Sequence, residues 1–294
     1  MKVIDWSFDN IPATFDGVLL LGTFDGVHKG HISLVREALN HTDSVGALLF
    51  KNNPADIFEK DKEHYVLTPL EDKIRRFAND GVETLYVIDN DDNFYKHTKE
   101  EFIDFLHRLG VRRLCVGEDF TFGYQRSGTA SDLSKEFLTF IVPLLNIDGK
   151  KVATRQVFEF LKDGDIENAN KFLGYQYEVK GKIGYGYGNG HKIGFPTANL
   201  EMSLPYLLPK AGVYLGLFYL RGVPHQAIIN VGKNPTVGLL KHPVVESYIK
   251  DVDEDLYGEY VYIAFLRRIR DEIKFDSLED LKKQLELDKK EFLK

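Results

Sequence analysis

Residues 18–31 read VLLLGTFDGVHKGH, an apolar run that passes into a glycine-rich turn ending on two histidines. The run has the length of a buried β-strand, and the apolar spacing from Ile32 to Leu39 is that of an amphipathic helix. A strand that leads directly into a helix is the first half of a β-α-β unit, from which parallel sheets are built. This stretch therefore predicts an α/β domain.

The alternation of strand and helix continues along the chain. Residues 45–50, 83–88 and 112–116 are predicted strands. Thr68 is predicted to cap a helix with Pro69 at its first position, and Thr98 opens a capping box. Such alternation indicates a parallel sheet covered on both faces, whose ligands bind beyond the carboxyl ends of the strands. The first part of the chain is therefore predicted to be Rossmann-like.

The periodicity changes after a helical segment at about residues 155–173, which Gly164 interrupts and Gly174 ends. Apolar residues then alternate with period two, and Ser277 is predicted to cap a last helix. The predicted strands lie at residues 213–218, 225–231, 244–249 and 260–266. We expect a small antiparallel β-barrel with a terminal helix, and domains at residues 1–175 and 176–294.

Composition excludes several classes of protein. A chain of 294 residues with a net charge of −7 has room for two domains and lacks the basic balance of a nucleic-acid binder. No apolar run is long enough to cross a membrane or to form a signal peptide, so we expect a cytoplasmic location. Cys115, the single cysteine, excludes an internal disulfide and is predicted to be buried. Nothing in the sequence indicates an obligate protein partner.

The turn after the first apolar run has the composition of a phosphate site. Gly22, Gly26 and Gly30 let a ligand approach the backbone closely. His28 and His31 are three residues apart at the start of a helix, so both rings can lie on one side of its first turn. Helix N-terminal amides and two imidazoles form a suitable receptor for a triphosphate.

The turn also resembles the G-x-F-D-G-x-H-x-G-H signature of the nucleotidylyltransferase superfamily, specifically its FAD synthetase branch. In that family the phosphate of FMN attacks the α-phosphorus of ATP and expels pyrophosphate. The resemblance implies that His28 and His31 stabilise charge in the transition state. It also implies that the following residues bind ATP phosphates: Gly22, Phe24, Asp25, Gly26 and Gly30.

Other segments of the first half are similar to landmarks of the same family. Residues 116–123 resemble V-G-x-D-F-x-F-G, which implies flavin contacts at Asp119 and Phe120. Asn53-Pro54 stands where the family usually has His-Pro, which implies a flavin contact at Asn53.

One segment departs from the family pattern. Residues 153–158 read ATRQVF where the family usually has S-S-T-x-I-R, a segment that holds ATP phosphates. Thr154 and Arg155 are the residues left to take that role.

A second glycine-rich segment, residues 184–199, reads GYGYGNGHKIGFPTAN. Its glycines lack G-x-G-x-x-G spacing and no crossover helix follows, which argues against a dinucleotide fold. Alternating glycines can wrap phosphate oxygens, and Thr197 and Asn199 offer oxygens of the kind that Mg²⁺ accepts.

The end of this segment resembles the G-F-P-T-A-N signature of riboflavin kinases, and further landmarks follow as far as residue 275. The resemblance implies that Glu246 is the general base for the ribityl hydroxyl and that Thr197 and Asn199 hold Mg²⁺. The implied phosphate contacts are Gly186, Gly188, Gly190 and His191, where His191 replaces the usual arginine. The implied flavin contacts are Arg270 and Glu272.

Together the two resemblances predict an enzyme of FAD biosynthesis that uses ATP with Mg²⁺ to phosphorylate riboflavin to FMN and then adenylylate FMN to FAD. Two alternatives stay open. The first is that the chain is a riboflavin kinase whose first domain has lost efficient adenylyl transfer. The second is that it is a regulatory protein that binds flavins or nucleotides.

Overall fold

The computed structural model describes residues 1–6, 15–52, 64–185, 197–232, 244–252, 254–275 and 277–293. The chain divides into two compact units, Met1–Thr154 and Arg155–Lys294. Apart from its first residue, Thr154, the helical segment that precedes residue 175 thus goes with the second unit. The domain boundary near residue 175 stays a prediction.

The first unit is built on a sheet of six parallel strands. The strands of this unit are β1 (Lys2–Trp6), β2 (Val18–Leu21), β3 (Val45–Phe50), β4 (Thr84–Ile88), β5 (Arg113–Gly117), β6 (Thr121–Phe122), β7 (Gly128–Thr129), β8 (Leu138–Val142), β9 (Asn146–Ile147) and β10 (Lys150–Lys151). The large sheet has the order β1-β4-β3-β2-β5-β8, and two short antiparallel ribbons pair β6 with β7 and β9 with β10.

Helices cover both faces of this sheet, which explains why β2 is apolar throughout. The helices are α1 (Lys29–Leu39), α2 (Leu70–Asn79), α3 (Lys99–Arg108) and α4 (Ala130–Glu136). Leu19 and Leu21 pack into the core cluster with α3 and α4, whereas Val18 and Leu20 pack into the one with α1 and α2. Cys115 is fully buried in the second cluster, as predicted.

The order of the strands predicts a ligand crevice beside β2. The chain pairs β3 with one edge of β2, adds β4 beyond it, and only later pairs β5 with the other edge. The connections that leave β2 and β5 therefore diverge at the carboxyl ends of these strands. In open parallel sheets this reversal of strand order marks the binding crevice. The Rossmann-like prediction for the first unit is confirmed.

The second unit consists of two helices, a closed barrel and a terminal helix. The elements are α5 (Thr154–Asp163), α6 (Ile166–Leu173), β11 (Glu178–Gly184), β12 (Thr197–Glu201), β13 (Gly212–Leu220), β14 (Val223–Gly232), β15 (Val244–Ile249), β16 (Tyr260–Arg270) and α7 (Leu278–Lys289). The barrel has the order β11-β12-β15-β14-β13-β16 with antiparallel pairs. Ser277 caps α7 by accepting the Asp280 N–H at 3.1 Å, as predicted.

Short 3-10 turns occur at Phe94–Lys96, Tyr124–Arg126 and Lys290–Leu293. None of the helices in the described part of the chain has the length and apolar character needed to cross a membrane.

Candidate functional sites

The turn between β2 and α1 places His28 at the cap of the helix. The Nδ1 atom of His28 accepts the backbone N–H of His31 at 3.3 Å. A ring nitrogen that accepts a hydrogen bond carries no proton, so the proton of neutral His28 is on Nε2. The Nε2–H group is then the donor that His28 can offer to a ligand.

The two histidines form a stacked pair whose ring centroids are 3.6 Å apart with an interplanar angle of 13°. Burial lowers the pKa of His28 from 6.5 to about 4. Burial, with smaller contributions from His28 and Lys73, lowers the pKa of His31 well below 6.5. Both rings are therefore neutral at pH 7, and stacking brings no charge repulsion. Each ring then has one N–H, which it can donate to a ligand as a neutral group.

These lowered pKa values predict that the protein loses stability on mild acidification. The unfolded chain binds a proton at His28 below about pH 6.5, whereas the folded chain binds it only below about pH 4. The free energy of unfolding is therefore expected to fall as the pH drops from 7 towards 4, by up to about 3 kcal/mol from His28 alone. Denaturant titrations at several pH values measure this slope.

His28→Asn is the matched variant, because asparagine also caps helices but does not titrate. We expect the variant to lose clearly less stability than the wild type between pH 7 and pH 5. Equal losses of stability in the two proteins would mean that folding does not lower the pKa of His28.

Phe24 packs against His31 from the core side. Its ring is fully buried and meets the rings of His31 and Phe77 edge to face, at centroid distances of 5.2 and 5.1 Å. The side chain is thus part of the core, and the phosphate contact of Phe24 stays a prediction. Gly22 and Gly30 stand in tight places, since a Cβ at Gly30 would lie 3.2 Å from the His28 ring.

Asp25 shapes the turn through its carboxylate. The carboxylate accepts the backbone N–H of Leu67 at 3.1 Å and that of Thr68 at 3.0 Å. The Thr68 hydroxyl accepts the Gly26 N–H at 2.7 Å and lies 3.3 Å from Asp25 Oδ1. The prediction that Thr68 caps α2 is wrong. Its hydroxyl forms hydrogen bonds with Gly26 and Asp25 of the turn, and the residue at the cap of the helix is Pro69, which makes no side-chain hydrogen bond there.

Residues after β5 complete the rim of the same crevice. Asp119 pairs with Lys151 at 2.7 Å, and both are close enough to His28 to influence its pKa. The Thr154 hydroxyl donates to the backbone carbonyl of Asp25 at 2.9 Å. Asp119 thus lies near His28, and Thr154 holds the backbone of the turn, while their flavin and phosphate contacts stay predictions. Phe120 is half-buried beside the core of the sheet.

Arg155 is exposed and begins the second compact unit. Asn53 lies outside the described residues. The residue before it, Asn52, is held by the fully buried Asn90 through reciprocal bonds of 2.8 and 2.9 Å. Sequence reasoning missed Asn90, and it also missed Lys151 and Lys73. Asn90 lies in a loop, Lys151 in a short ribbon and Lys73 in a helix, and none of the three belongs to a sequence motif.

The second group of predicted site residues lies on neighbouring strands of the barrel. Register pairs Asn199 of β12 with Glu246 of β15, and Glu246 with Asn230 of β14. The Thr197 hydroxyl donates to Glu246 Oε1 at 2.5 Å. The neighbouring Ser247 is fully buried, as expected for alternation along a strand with one face in the barrel. Thr197, Asn199 and Glu246 therefore share one surface, and Asn230 joins them.

Arg270 and Glu272 differ in where they lie. Arg270 binds the Asp288 carboxylate through Nη2 at 2.7 Å and Nε at 3.1 Å, and Asp288 of α7 is 2% exposed. Arg270 therefore fastens the terminal helix, and its flavin contact stays a prediction. Glu272 covers Gly232, where a Cβ would meet its Oε1 at 2.2 Å, and so lies at the end of β14 near Asn230. Gly186, Gly188, Gly190 and His191 lie outside the described residues.

Known protein families match both parts of the chain. A family model described as FAD synthetase matches residues 11–156, and one described as Riboflavin kinase matches residues 173–294. A bifunctional riboflavin kinase/FMN adenylyltransferase of Bacillus subtilis (strain 168) is 34% identical over 94% of this chain and 92% of its own. The chain belongs to the bifunctional riboflavin kinase/FMN adenylyltransferase family.

Other relatives span the same length. The family member of Escherichia coli (strain K12) is 32% identical over 98% of this chain and 96% of its own. A crystal structure titled macrolide-efflux protein from Streptococcus pneumoniae has a TM-score of 0.91 and 30% identity, covering 99% of this chain and 98% of that one. The FAD synthetase region thus holds the histidine pair, and the riboflavin kinase region holds Glu246.

Proposed function

We propose that this chain makes FAD in two steps: the riboflavin kinase region phosphorylates riboflavin to FMN, and the FAD synthetase region adenylylates FMN. One observation carries the proposal. A single chain contains the stacked histidine pair at a helix start and the Glu246 cluster on a barrel, each within the region matched by its own family model.

In adenylyl transfer, an oxygen of the FMN phosphate bonds to the α-phosphorus of ATP. The bond from that phosphorus to the bridging oxygen breaks, and pyrophosphate leaves with the electron pair. The attacking phosphate is already an anion, so this step requires no general base. The N-terminal amides of α1 and the N–H groups of His28 and His31 stabilise the charge on the phosphates. Thr154 holds the Asp25 carbonyl and with it the shape of the turn.

In the kinase step, Glu246 accepts the proton of the ribityl hydroxyl while that oxygen bonds to the γ-phosphorus and ADP leaves. One carboxylate oxygen of Glu246 accepts the Thr197 hydroxyl, which fixes the orientation of the group. Among the residues that the structure describes, the other oxygen has no hydrogen-bond partner. That oxygen is the base in this proposal.

Thr197 and Asn199 are also the residues that would hold Mg²⁺ here. Both present side-chain oxygens on the face that carries Glu246, and such neutral oxygens suit this ion. Mg²⁺, when bound, neutralises charge on the ATP phosphates. We propose a cytoplasmic location as well, because both reactions consume ATP.

The direct experiment is incubation of the protein with ATP, Mg²⁺ and either riboflavin or FMN, followed by chromatography of the flavins. We expect FMN and then FAD from riboflavin, and FAD with pyrophosphate release from FMN. FMN as the final product would favour the kinase-only alternative. Unchanged riboflavin would favour the regulatory alternative. Neither alternative is favoured by the family match, which covers both regions.

A further inference from the structure

Lys73 of α2 reaches under the phosphate-binding turn. Its Nζ atom donates to the backbone carbonyl of Thr23 at 3.1 Å. Lysine has three N–H donors, and within the described part of the chain this carbonyl is the one hydrogen-bond partner of Lys73. The side chain is half-buried although it carries a charge. Two of its donors therefore remain for a ligand at the turn.

The charge of Lys73 matters because the histidines of the turn are neutral and Lys151 is already paired. His28 and His31 are neutral at pH 7 because burial lowers the pKa of each ring. The carboxylate of Asp25 is occupied by backbone N–H groups, and Lys151 on the rim is paired with Asp119. No carboxylate in the described residues forms an ion pair with Lys73, so its charge is available to an anion.

The position of Lys73 also strengthens its effect. Burial lowers the pKa of Lys73, and the nearby Asp25 partly opposes that shift. The charge of Lys73 also contributes to the low pKa of His31, which places the ammonium group close to that ring. A charge in a poorly solvated place acts more strongly on a neighbouring anion than an exposed one does.

We propose that Lys73 is a further phosphate-binding residue of the adenylyl-transfer site. Its ammonium group stays bonded to Thr23 and donates its remaining N–H bonds to the triphosphate of ATP and to pyrophosphate as it leaves. This inference rests on the proposed adenylyl transfer. The neutral histidines supply no fixed positive charge to the turn. In this inference that charge comes from Lys73, a helix residue outside the turn.

The expected result is a specific loss of adenylyl transfer. Lys73→Met keeps the length of the side chain but removes the charge and donors, and we expect kcat/KM for ATP to fall about ten- to hundredfold with FMN as acceptor. Lys73→Arg retains the charge and is expected to recover most of the activity. Riboflavin phosphorylation by the same variants should be unchanged, because that reaction belongs to the other region.

The experiment compares full-length wild type, Lys73→Met, Lys73→Arg and the control Lys135→Met, an exposed lysine paired with Asp132. Pyrophosphate release is followed with FMN and ATP, and pyrophosphate binding is measured by calorimetry. Weaker pyrophosphate binding by Lys73→Met alone supports the inference, and affinity and kcat/KM equal to those of Lys135→Met overturn it. If Lys73→Met unfolds, Lys73→Gln replaces it, and equal activity of the Gln and Arg variants overturns the inference.

The same data separate this inference from the function on which it rests. A wild type that releases no pyrophosphate from FMN and ATP overturns the proposed adenylyl transfer. Lys73 is then judged by pyrophosphate binding alone, and binding that does not depend on Lys73 overturns its assignment.

Discussion

Replacing Glu246 with glutamine is expected to lower the turnover of riboflavin phosphorylation about a hundred- to ten-thousandfold, the usual cost of losing a general base. Glutamine has nearly the same shape and its carbonyl oxygen can still accept the Thr197 hydroxyl, so the local structure should persist. What it loses is the ability to take the ribityl proton. Initial rates of FMN formation, measured with saturating riboflavin and ATP, give the effect on kcat.

Two controls show whether the effect is specific to Glu246 and to the kinase reaction. Conversion of supplied FMN to FAD should proceed at the wild-type rate, because the histidine pair lies in the other compact unit. Glu259→Gln changes another glutamate of the barrel region, one that pairs with Arg221, and should leave both reactions intact. A Glu246→Gln enzyme that phosphorylates riboflavin at the wild-type rate would remove Glu246 from the mechanism.

Much of the fold could be predicted because local patterns and tertiary packing agree. The run at residues 18–21 is apolar on both sides since both faces of its sheet are covered, and Gly164 and Gly174 end helices in the left-handed conformation that favours glycine. Thr68 was mispredicted for the opposite reason. A local capping pattern was overridden by the turn at Asp25, which is distant in sequence but takes the same hydroxyl.

The candidate sites could be predicted only as far as motifs extend. Turn residues and the Thr197, Asn199 and Glu246 set belong to compact patterns, and strand register then brings that set together. Lys73, Lys151 and Asn90 reach their positions through the packing of helices and loops that no local pattern encodes. Arg270 shows the converse, since a motif position is occupied by a side chain that binds the buried Asp288.

In the proposed mechanism, the histidine pair also explains how a site with little fixed charge favours a polyanion. Neutral imidazoles need no counter-ion in the free enzyme, and burial lets them stack without repulsion. Their N–H groups are held in place before the ligand arrives, so little reorganisation is needed when charge develops on the phosphates. The effect of removing one ring should therefore appear mainly in turnover.

His31→Ala is accordingly expected to lower kcat for FAD formation from FMN about a hundred- to thousandfold, the loss typical of removing one preorganised donor. His31 is the better choice of the pair, because His28 also caps α1 while alanine is well tolerated at a helical position. Pyrophosphate release under saturating FMN and ATP measures the effect. The thermal unfolding curve reports whether the fold is kept, and riboflavin phosphorylation, which belongs to the other region, should be unchanged. His41→Ala, an exposed histidine after the same helix that pairs with Glu37, is the matched control and should retain full activity. If His31→Ala releases pyrophosphate within a few-fold of the His41→Ala rate, His31 does not stabilise the transition state, and the turn acts through its backbone amides and the other side chains.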